Sequence, residues 1–408
     1  MNSNRAQPSR YGALCIAVFC FIACEGETDQ ASLSPAQLAE NQGLTHYVGL
    51  IDPIQESSDG ASVTYTFDSA QGPVCMRGDP YRMSVRDMPS KDLVIFLQGG
   101  GACWSAFCLA VTGAPAGVPA IDILNPELPE NPTADWDVVY LPYCDGSFFA
   151  GDIRIDDNLN DKGPRHHRGL ANLTAALEVA RRHFPNPSRI LLAGSSGGAY
   201  GLLLGMPLVR FYFPDVELMV MADSGIGLAR DGDLEYMNTI LDEFNLRRFL
   251  PPDCADCLEG GHLTGLVSYY LRVDPTVRMG MFSSWYDGVL SNTFLKVDPT
   301  TFDDILERRT GAIHSEFPDR FRRFIVAGTQ HTSLLANASG IIGSDLSAVE
   351  LPPDALGSLL GGGLVIGGLE STVIGDVTMG AWLRGFIDHQ MERWPDLLED
   401  RGDAPDME

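Results

Sequence analysis

A succession of short apolar runs, separated by segments of helical periodicity, limits the fold of this chain more than any other feature. Each run is four to six residues long, with aliphatic residues at consecutive positions, which is typical of strands buried on both faces of a parallel sheet. The runs are Leu93–Leu97, Trp136–Leu141, Ile190–Ala193, Val216–Met221, Val277–Phe282 and Phe324–Ala327. Helical patterns cover 167–183 and 197–212, and a final amphipathic helix is expected over 380–394. The alternation predicts a three-layer α/β fold with a mostly parallel central sheet.

The strongest local motif is the pentapeptide Gly194-Ser195-Ser196-Gly197-Gly198, which follows one apolar run and begins a helical pattern. A G-x-S-x-G sequence in this context is typical of the nucleophile elbow of α/β-hydrolase folds, whose tight turn lifts the serine oxygen above the sheet. The register makes Ser196 the nucleophile and Ser195 its neighbour. The alternative is an ordinary turn rich in glycine and serine.

A serine hydroxyl needs a base, and in this fold type the acid and then the histidine follow the serine along the chain. His331 comes a few residues after the run Phe324–Ala327, at the sheet edge where the elbow is expected. It is therefore the predicted general base, with a solvated loop histidine as the alternative. His314 precedes this run, and His389 falls in the expected terminal helix. Neither is therefore predicted to be the general base.

Two aspartates follow neighbouring runs and could orient the imidazole. Asp287 comes after Val277–Phe282, and Asp223 comes after Val216–Met221. We predict Asp287 as the acid, with Asp223 as the alternative acid or as a residue that supports the triad. For each, a helix cap or turn former is the alternative role.

A glycine-rich segment, Gln98 to Trp104, follows the run Leu93–Leu97. Glycines let backbone amides approach a carbonyl oxygen without side-chain overlap, so the segment matches the oxyanion loop of such hydrolases in position. The amides of Gly100, Gly101 and Gly197 are the predicted oxyanion donors. A phosphate-binding loop is disfavoured because no Lys-Ser or Lys-Thr pair follows the glycines.

The first residues resemble an export signal. Residues 1–23 carry Arg5 and Arg10 ahead of an apolar stretch that is too short to span a bilayer as a stable helix. The sequence at 21–24 resembles the cleavage box of bacterial lipoproteins, which predicts lipidation of Cys24 and attachment to a membrane of the cell envelope. Simple secretion and an uncleaved anchor are the alternatives. Residues 24–44 are expected to be a polar linker, and residues 45–408 a single catalytic domain.

Cysteine usage agrees with export. Six cysteines remain when Cys15, Cys20 and Cys24 are set aside, and an even number in an exported chain favours disulfides. The alternative is a zinc site beginning at the pair Cys254 and Cys257, but no second such pair follows. No metal or other cofactor is therefore expected.

The charge of the chain disfavours one class of partner. With 54 acidic and 28 basic residues the formal net charge is −26, and such a surface repels phosphate backbones. Nucleic-acid binding is not expected. The acidic surface can equally serve solubility or salt tolerance.

Taken in order, several segments resemble the pectin acetylesterase and Notum family of carboxylesterases over roughly residues 45–395. The segments that carry the resemblance are Val74–Tyr81, Gln98–Cys103, Tyr143–Phe148 with Gly151-Asp152, Arg168-Gly169, Gly194–Gly198, Ala222–Gly225 and Tyr286-Asp287. The resemblance implies a triad of Ser196, Asp287 and His331. It also implies the disulfides Cys75–Cys144 and Cys103–Cys108, with Cys254–Cys257 as a third.

The chain departs from the family pattern in ways that bear on substrate. Gln98 replaces the usual glutamate, and Gly101-Ala102 replaces a bulky aromatic before Cys103, so the acyl pocket wall differs. The glycine-rich stretch 339–375 has no matching family segment and is either a cover near the site or an irregular insertion.

We therefore expect an ester hydrolase that removes acetyl groups from a polysaccharide such as pectin, the substrate being implied by the family alone. The alternatives are a deacylase of longer chains on protein or lipid, and a catalytically inactive carbohydrate-binding surface module. The sequence leaves the oligomeric state open.

Overall fold

The computed structural model of the chain describes residues 1, 34–337, 345–351 and 364–405. The strands within these ranges are β1 (Pro53–Asp59), β2 (Ser62–Phe67), β3 (Arg82–Arg86), β4 (Leu93–Leu97), β5 (Gly101–Trp104), β6 (Phe107–Val111), β7 (Asp137–Leu141), β8 (Ile153–Ile155), β9 (Arg165–His167), β10 (Arg189–Ser195), β11 (Glu217–Asp223), β12 (Arg278–Ser284), β13 (Phe321–Val326), β14 (Val349–Glu350), β15 (Val373–Ile374), β16 (Val377–Thr378) and β17 (Leu397–Leu398). The helices are α1 (Pro35–Asn41), α2 (Gly169–His183), α3 (Gly197–Tyr212), α4 (Leu234–Glu243), α5 (Thr264–Val273), α6 (Pro299–Glu316) and α7 (Met379–Ile387). The expected export signal and Cys24 lie outside the described residues, as does much of the stretch 339–375.

One large sheet organises the described part of the chain, in the order β1-β2-β3-β7-β4-β10-β11-β12-β13-β17. All strands from β7 to β17 in this order run parallel, whereas β1, β2, β3 and β7 pair antiparallel. Each of the six apolar runs coincides with a parallel strand: β4, β7, β10, β11, β12 or β13. The predicted fold class, a mostly parallel sheet between helices, is confirmed.

Alternate residues of the central strands enter two separate cores. In β4, Leu93, Ile95 and Leu97 belong to the core under α2 and α3, while Val94 and Phe96 belong to the core under α7. Because both of its faces are covered, β4 has no polar position, which is why its sequence is a continuous apolar run.

The antiparallel strands were not found from sequence. Six of the seven residues of β1 are exposed, so this edge strand has no apolar face to produce a recognisable pattern.

The hairpin of β5 and β6 was missed for another reason. Its first strand begins in the glycine segment at Gly101, where conformation depends on tertiary contacts.

The boundaries at both ends differ from the sequence expectations. Helix α1 lies inside the segment expected to be a linker, and its Leu38 and Ala39 are buried in the larger core. The terminal helix α7 ends at Ile387, earlier than expected, because His389 takes a left-handed conformation. The amides of His389 and Gln390 then bond back to the last helical carbonyls, which closes the helix end. Within the described residues, no helix combines the length and apolar character needed to cross a bilayer.

Candidate active site

The turn between β10 and α3 places Ser196 at the carboxyl edge of the sheet. Ser196 has φ 53° and ψ −120°, a left-handed conformation that is uncommon for a residue with a side chain and marks a strained turn. The turn requires glycine at Gly198, since a Cβ there would lie 2.2 Å from the carbonyl oxygen of Leu97. Ser196 is 8% exposed and lines a cavity at this edge.

The loop after β13 brings His331 directly onto Asp287. The imidazole Nδ1 lies 2.9 Å from both carboxylate oxygens of Asp287, and both side chains are buried. The amides of Val289 and Leu290 donate to Oδ1 of the same carboxylate, which fixes its orientation. The other imidazole nitrogen, Nε2, is buried and has no hydrogen-bond partner among the described residues. A proton acceptor is therefore available on the side of the ring that Asp287 does not occupy.

Adjacent strands explain why these two distant residues meet. Strands β12 and β13 pair in parallel, so the loops that follow them lie side by side. The amide of Tyr286 donates to the carbonyl of Gly328, and that of Gly288 donates to Thr329. The Ser284 hydroxyl donates to the carbonyl of Gln330. These bonds set the position of the imidazole relative to the carboxylate.

Asp223 joins the elbow to the histidine loop instead of orienting the imidazole. Its backbone carbonyl accepts from the Ser196 amide at 2.7 Å, and its Oδ2 accepts from the Ser195 hydroxyl at 2.5 Å. Its two carboxylate oxygens also accept from the amides of Ser333 and Leu334, at 2.7 and 3.2 Å. Burial raises the pKa of Asp223 to about 6, while the bond from Ser195 acts in the opposite direction. Of the two aspartates considered, the structure thus places Asp287 on His331.

The backbone around the histidine has further supports that sequence reasoning missed. The Thr332 amide donates to the Ser224 hydroxyl oxygen at 2.9 Å. The His331 amide donates to the carbonyl of Val365 at 2.6 Å, and the Gln330 side chain donates to the Thr372 hydroxyl. Residues 364–372 therefore lie against the histidine loop. No local pattern in the chain could have indicated this, because the partners are more than thirty residues apart.

Two of the three predicted oxyanion donors lie next to each other. A Cβ on Gly197 would lie 2.7 Å from the carbonyl oxygen of Gly101, so these two backbones are in close contact beside Ser196. Gly197 is the first residue of α3, and first-turn amides of a helix have no partner within the helix. The third predicted donor, Gly100, packs against Tyr143, since a Cβ on Gly100 would lie 2.4 Å from that ring.

A disulfide closes the hairpin that carries Gly101. Cys103 and Cys108 face each other across β5 and β6 and are bonded, so the hairpin is held beside Ser196. The other implied disulfides, Cys75–Cys144 and Cys254–Cys257, are also present. The zinc alternative at Cys254 and Cys257 is therefore wrong, since their sulfurs are joined to each other.

A group of potential metal ligands occurs at Cys103, Cys108 and Glu350 in the described part of the chain. Both sulfurs are consumed by the disulfide, which leaves no thiolate to bind a metal. The Glu350 carboxylate is paired with Arg77. This group is therefore explained as structural.

A second buried polar cluster lies near the disulfide Cys75–Cys144. Burial raises the pKa of Asp145 to about 6 and lowers that of His167 to about 3. Asp145 Oδ2 accepts from the amide and hydroxyl of Ser147, and His167 Nδ1 lies 3.0 Å from the Asp145 carbonyl oxygen. These contacts order the Tyr143–Phe148 segment, so the cluster serves the fold.

An apolar cavity opens beside Ser196, Gly101 and Gly197. The described residues that line it further in are Phe107, Leu109, Phe148, Tyr200, Leu290 and Phe294, among others. The centre of a water-sized sphere can occupy only about 30 Å³ of it. The arrangement therefore offers a hydroxyl, two adjacent backbone amides and a small apolar recess at one point.

Comparisons with known proteins find a matching family model and similar proteins. Residues 55–244 match the family model described as Pectinacetylesterase. The chain is 25% identical to palmitoleoyl-protein carboxylesterase notum1′ of Xenopus laevis over 37% of its own length. That match spans about a third, 34%, of the relative. The Wnt deacylase Notum from Drosophila has a similar structure, with a TM-score of 0.55 and 18% identity over 86% of this chain and 97% of that one. At this identity the structural likeness concerns the fold alone.

Proposed function

We propose that the chain is a carboxylic-ester hydrolase, because it is similar to the pectin acetylesterase family and to a Notum carboxylesterase. The observation that carries the proposal is the fixed imidazole of His331, held at Nδ1 by Asp287 and without a partner at Nε2 among the described residues. It lies at the sheet edge that also carries the strained turn of Ser196. This is the division of roles that a serine hydrolase requires.

In the proposed reaction, His331 Nε2 takes the proton of the Ser196 hydroxyl as the oxygen attacks the ester carbonyl carbon. The amides of Gly101 and Gly197, with that of Gly100, would stabilise the negative charge on the carbonyl oxygen. The imidazolium then protonates the leaving alcohol, and an acyl group remains on Ser196. Water, deprotonated by the same imidazole, releases the acid and restores the serine. Asp287 stabilises the imidazolium throughout.

For the substrate we propose an acetyl ester of a polysaccharide such as pectin. The family name and the small size of the recess beside Ser196 support this choice. A deacylase of longer chains on protein is the second candidate, because the similar Xenopus protein is described as a palmitoleoyl-protein carboxylesterase. The outcome depends on the acyl length that the recess accepts.

We also propose that the protein is exported, and that Cys24 is lipidated. Three disulfides support export, because such bonds persist in oxidising compartments. Lipidation is supported by the sequence at 21–24 alone. The test is the membrane fraction of cells that express the chain. Cys24→Ser should move the protein from membranes to the soluble fraction, and unchanged membrane association would reject lipidation.

The decisive experiment replaces the nucleophile. Ser196→Ala should reduce kcat/KM for p-nitrophenyl acetate and for acetylated pectin by about a thousandfold or more. A fluorophosphonate probe should label the parent at Ser196 and leave the variant unlabelled. Ser188→Ala is the matched control, because Ser188 is exposed and lies before β10, at the opposite edge of the sheet. Parent-like hydrolysis by Ser196→Ala would reject the proposal.

A further inference from the structure

Phe294 occupies the centre of the aromatic residues beside the proposed nucleophile. Its ring centroid lies 5.5 Å from that of Tyr200 and 6.2 Å from those of Phe107 and Phe148. It also lies 5.7 Å from Trp104, on the disulfide-closed hairpin. All four contacts have an edge-to-face geometry, which is favourable for aromatic pairs.

The same ring takes space that an acyl chain would need. Phe294 lines the cavity that contains Ser196 and Gly197, and the centre of a water-sized sphere can occupy only about 30 Å³ there. The other walls come from Phe107 and Leu109 on β6 and from Tyr200 on α3. These walls belong to elements fixed by the sheet and the disulfide. Phe294 lies instead on a separate short segment.

That segment holds the ring firmly. Residues Val289–Leu295 form a π-helical turn directly after Asp287, a conformation often found at functional sites. The Tyr236 hydroxyl donates to the carbonyl of Phe294 at 2.7 Å, and Arg230 Nε donates to the carbonyl of Leu295 at 2.6 Å. Backbone movement that would withdraw the ring must break both bonds. The backbone that carries Phe294 is thus anchored beside the recess.

We propose that Phe294 determines acyl-chain specificity by closing the recess, so that only acetyl and other short acyl groups fit beside Ser196. The inference rests on the proposed ester hydrolysis and deepens it by assigning the length limit to one side chain. An acyl chain longer than the recess must displace the ring from its aromatic neighbours, and the loss of those contacts opposes binding in the transition state.

The test is a series of p-nitrophenyl esters from acetate to octanoate, assayed with the parent, Phe294→Ala and Phe294→Leu. The measured quantity is the ratio of kcat/KM for octanoate to that for acetate. One methylene accepted in an apolar pocket changes kcat/KM by about tenfold or more. We expect the ratio to rise about a hundredfold in Phe294→Ala and about tenfold in Phe294→Leu.

Phe386→Leu is the matched control, since Phe386 is fully buried in the core on the other side of the sheet. It loses the same ring atoms as Phe294→Leu, and the length ratio should stay that of the parent. Thermal unfolding verifies folding, and Phe294→Leu decides the question if Phe294→Ala does not fold.

Three outcomes would overturn the inference. A parent that hydrolyses octanoate as efficiently as acetate would show that the ring sets no limit. Folded Phe294 variants with the parent ratio would place the limit elsewhere. Both results leave ester hydrolysis intact, whereas a parent that hydrolyses no ester in the series, and that the fluorophosphonate probe does not label, would reject the proposed function as well.

Discussion

Replacing Asp287 by asparagine tests which carboxylate acts on the proposed base. In the structure, Asp287 Oδ1 accepts from two backbone amides, and both oxygens lie 2.9 Å from His331 Nδ1. An asparagine oxygen would stay on the two amides, which turns its NH₂ group toward Nδ1. The imidazole must then accept at Nδ1 and carry its proton on Nε2, the tautomer that cannot take a proton from Ser196.

The size of the effect follows from the lost charge. Two unit charges about 4 Å apart interact by about 4 kcal/mol at an effective dielectric constant of about 20. Removing the carboxylate charge withdraws stabilisation of this order from the imidazolium formed during the reaction. At about 1.36 kcal/mol per decade, kcat/KM should fall about a thousandfold.

The assay is p-nitrophenyl acetate hydrolysis at neutral pH, with thermal unfolding as the test of folding. Asp303→Asn is the control, because Asp303 is also buried but lies on α6, where it pairs with Arg401. It should retain the parent rate. A folded Asp287→Asn variant within tenfold of the parent would refute the assignment. The imidazole would then be oriented by another group.

Three further predictions concern the supports of the site. Gly198→Ala should lower the free energy of unfolding by about 1–3 kcal/mol, because its Cβ would meet the Leu97 carbonyl oxygen at 2.2 Å; an unchanged melting temperature would contradict this. The double replacement Cys75→Ser, Cys144→Ser should lower the free energy of unfolding, measured in urea, by about 4 kcal/mol, because the disulfide spans 69 residues of sequence. A decrease below about 1 kcal/mol would contradict this. Burial raises the pKa of Asp145 from 3.8 to about 6. Between pH 3.8 and about 6 the folded protein therefore binds a proton that the unfolded chain does not. The free energy of unfolding gained in this way is lost as the pH rises through about 6. Asp145→Asn should therefore flatten the fall in melting temperature from pH 4 to 7, and parallel curves for parent and variant would reject this.

The sequence determined the central sheet and the turn at Ser196, for local reasons. Strands buried on both faces are largely apolar, so β4 and the central parts of β10 and β11 could be recognised as continuous apolar runs. The tight turn at Ser196 leaves space only for small neighbouring residues. Its sequence motif is therefore contained in five adjacent residues, 194–198, and can be recognised locally. The three disulfides followed from the resemblance to one family, and the structure contains all three.

Tertiary structure decided what the polar and aromatic side chains of the candidate site contact. Asp223 and Asp287 both follow parallel strands, and the sequence could only rank them as acids. Contacts across 28 to 111 residues of sequence place Asp287 on His331 and Asp223 between the elbow and the histidine loop. The size of the recess likewise depends on where Phe294 packs against Trp104, far away along the chain. Periodicity and motifs describe neighbours in sequence, whereas these properties arise from neighbours in space, which only the packed fold defines.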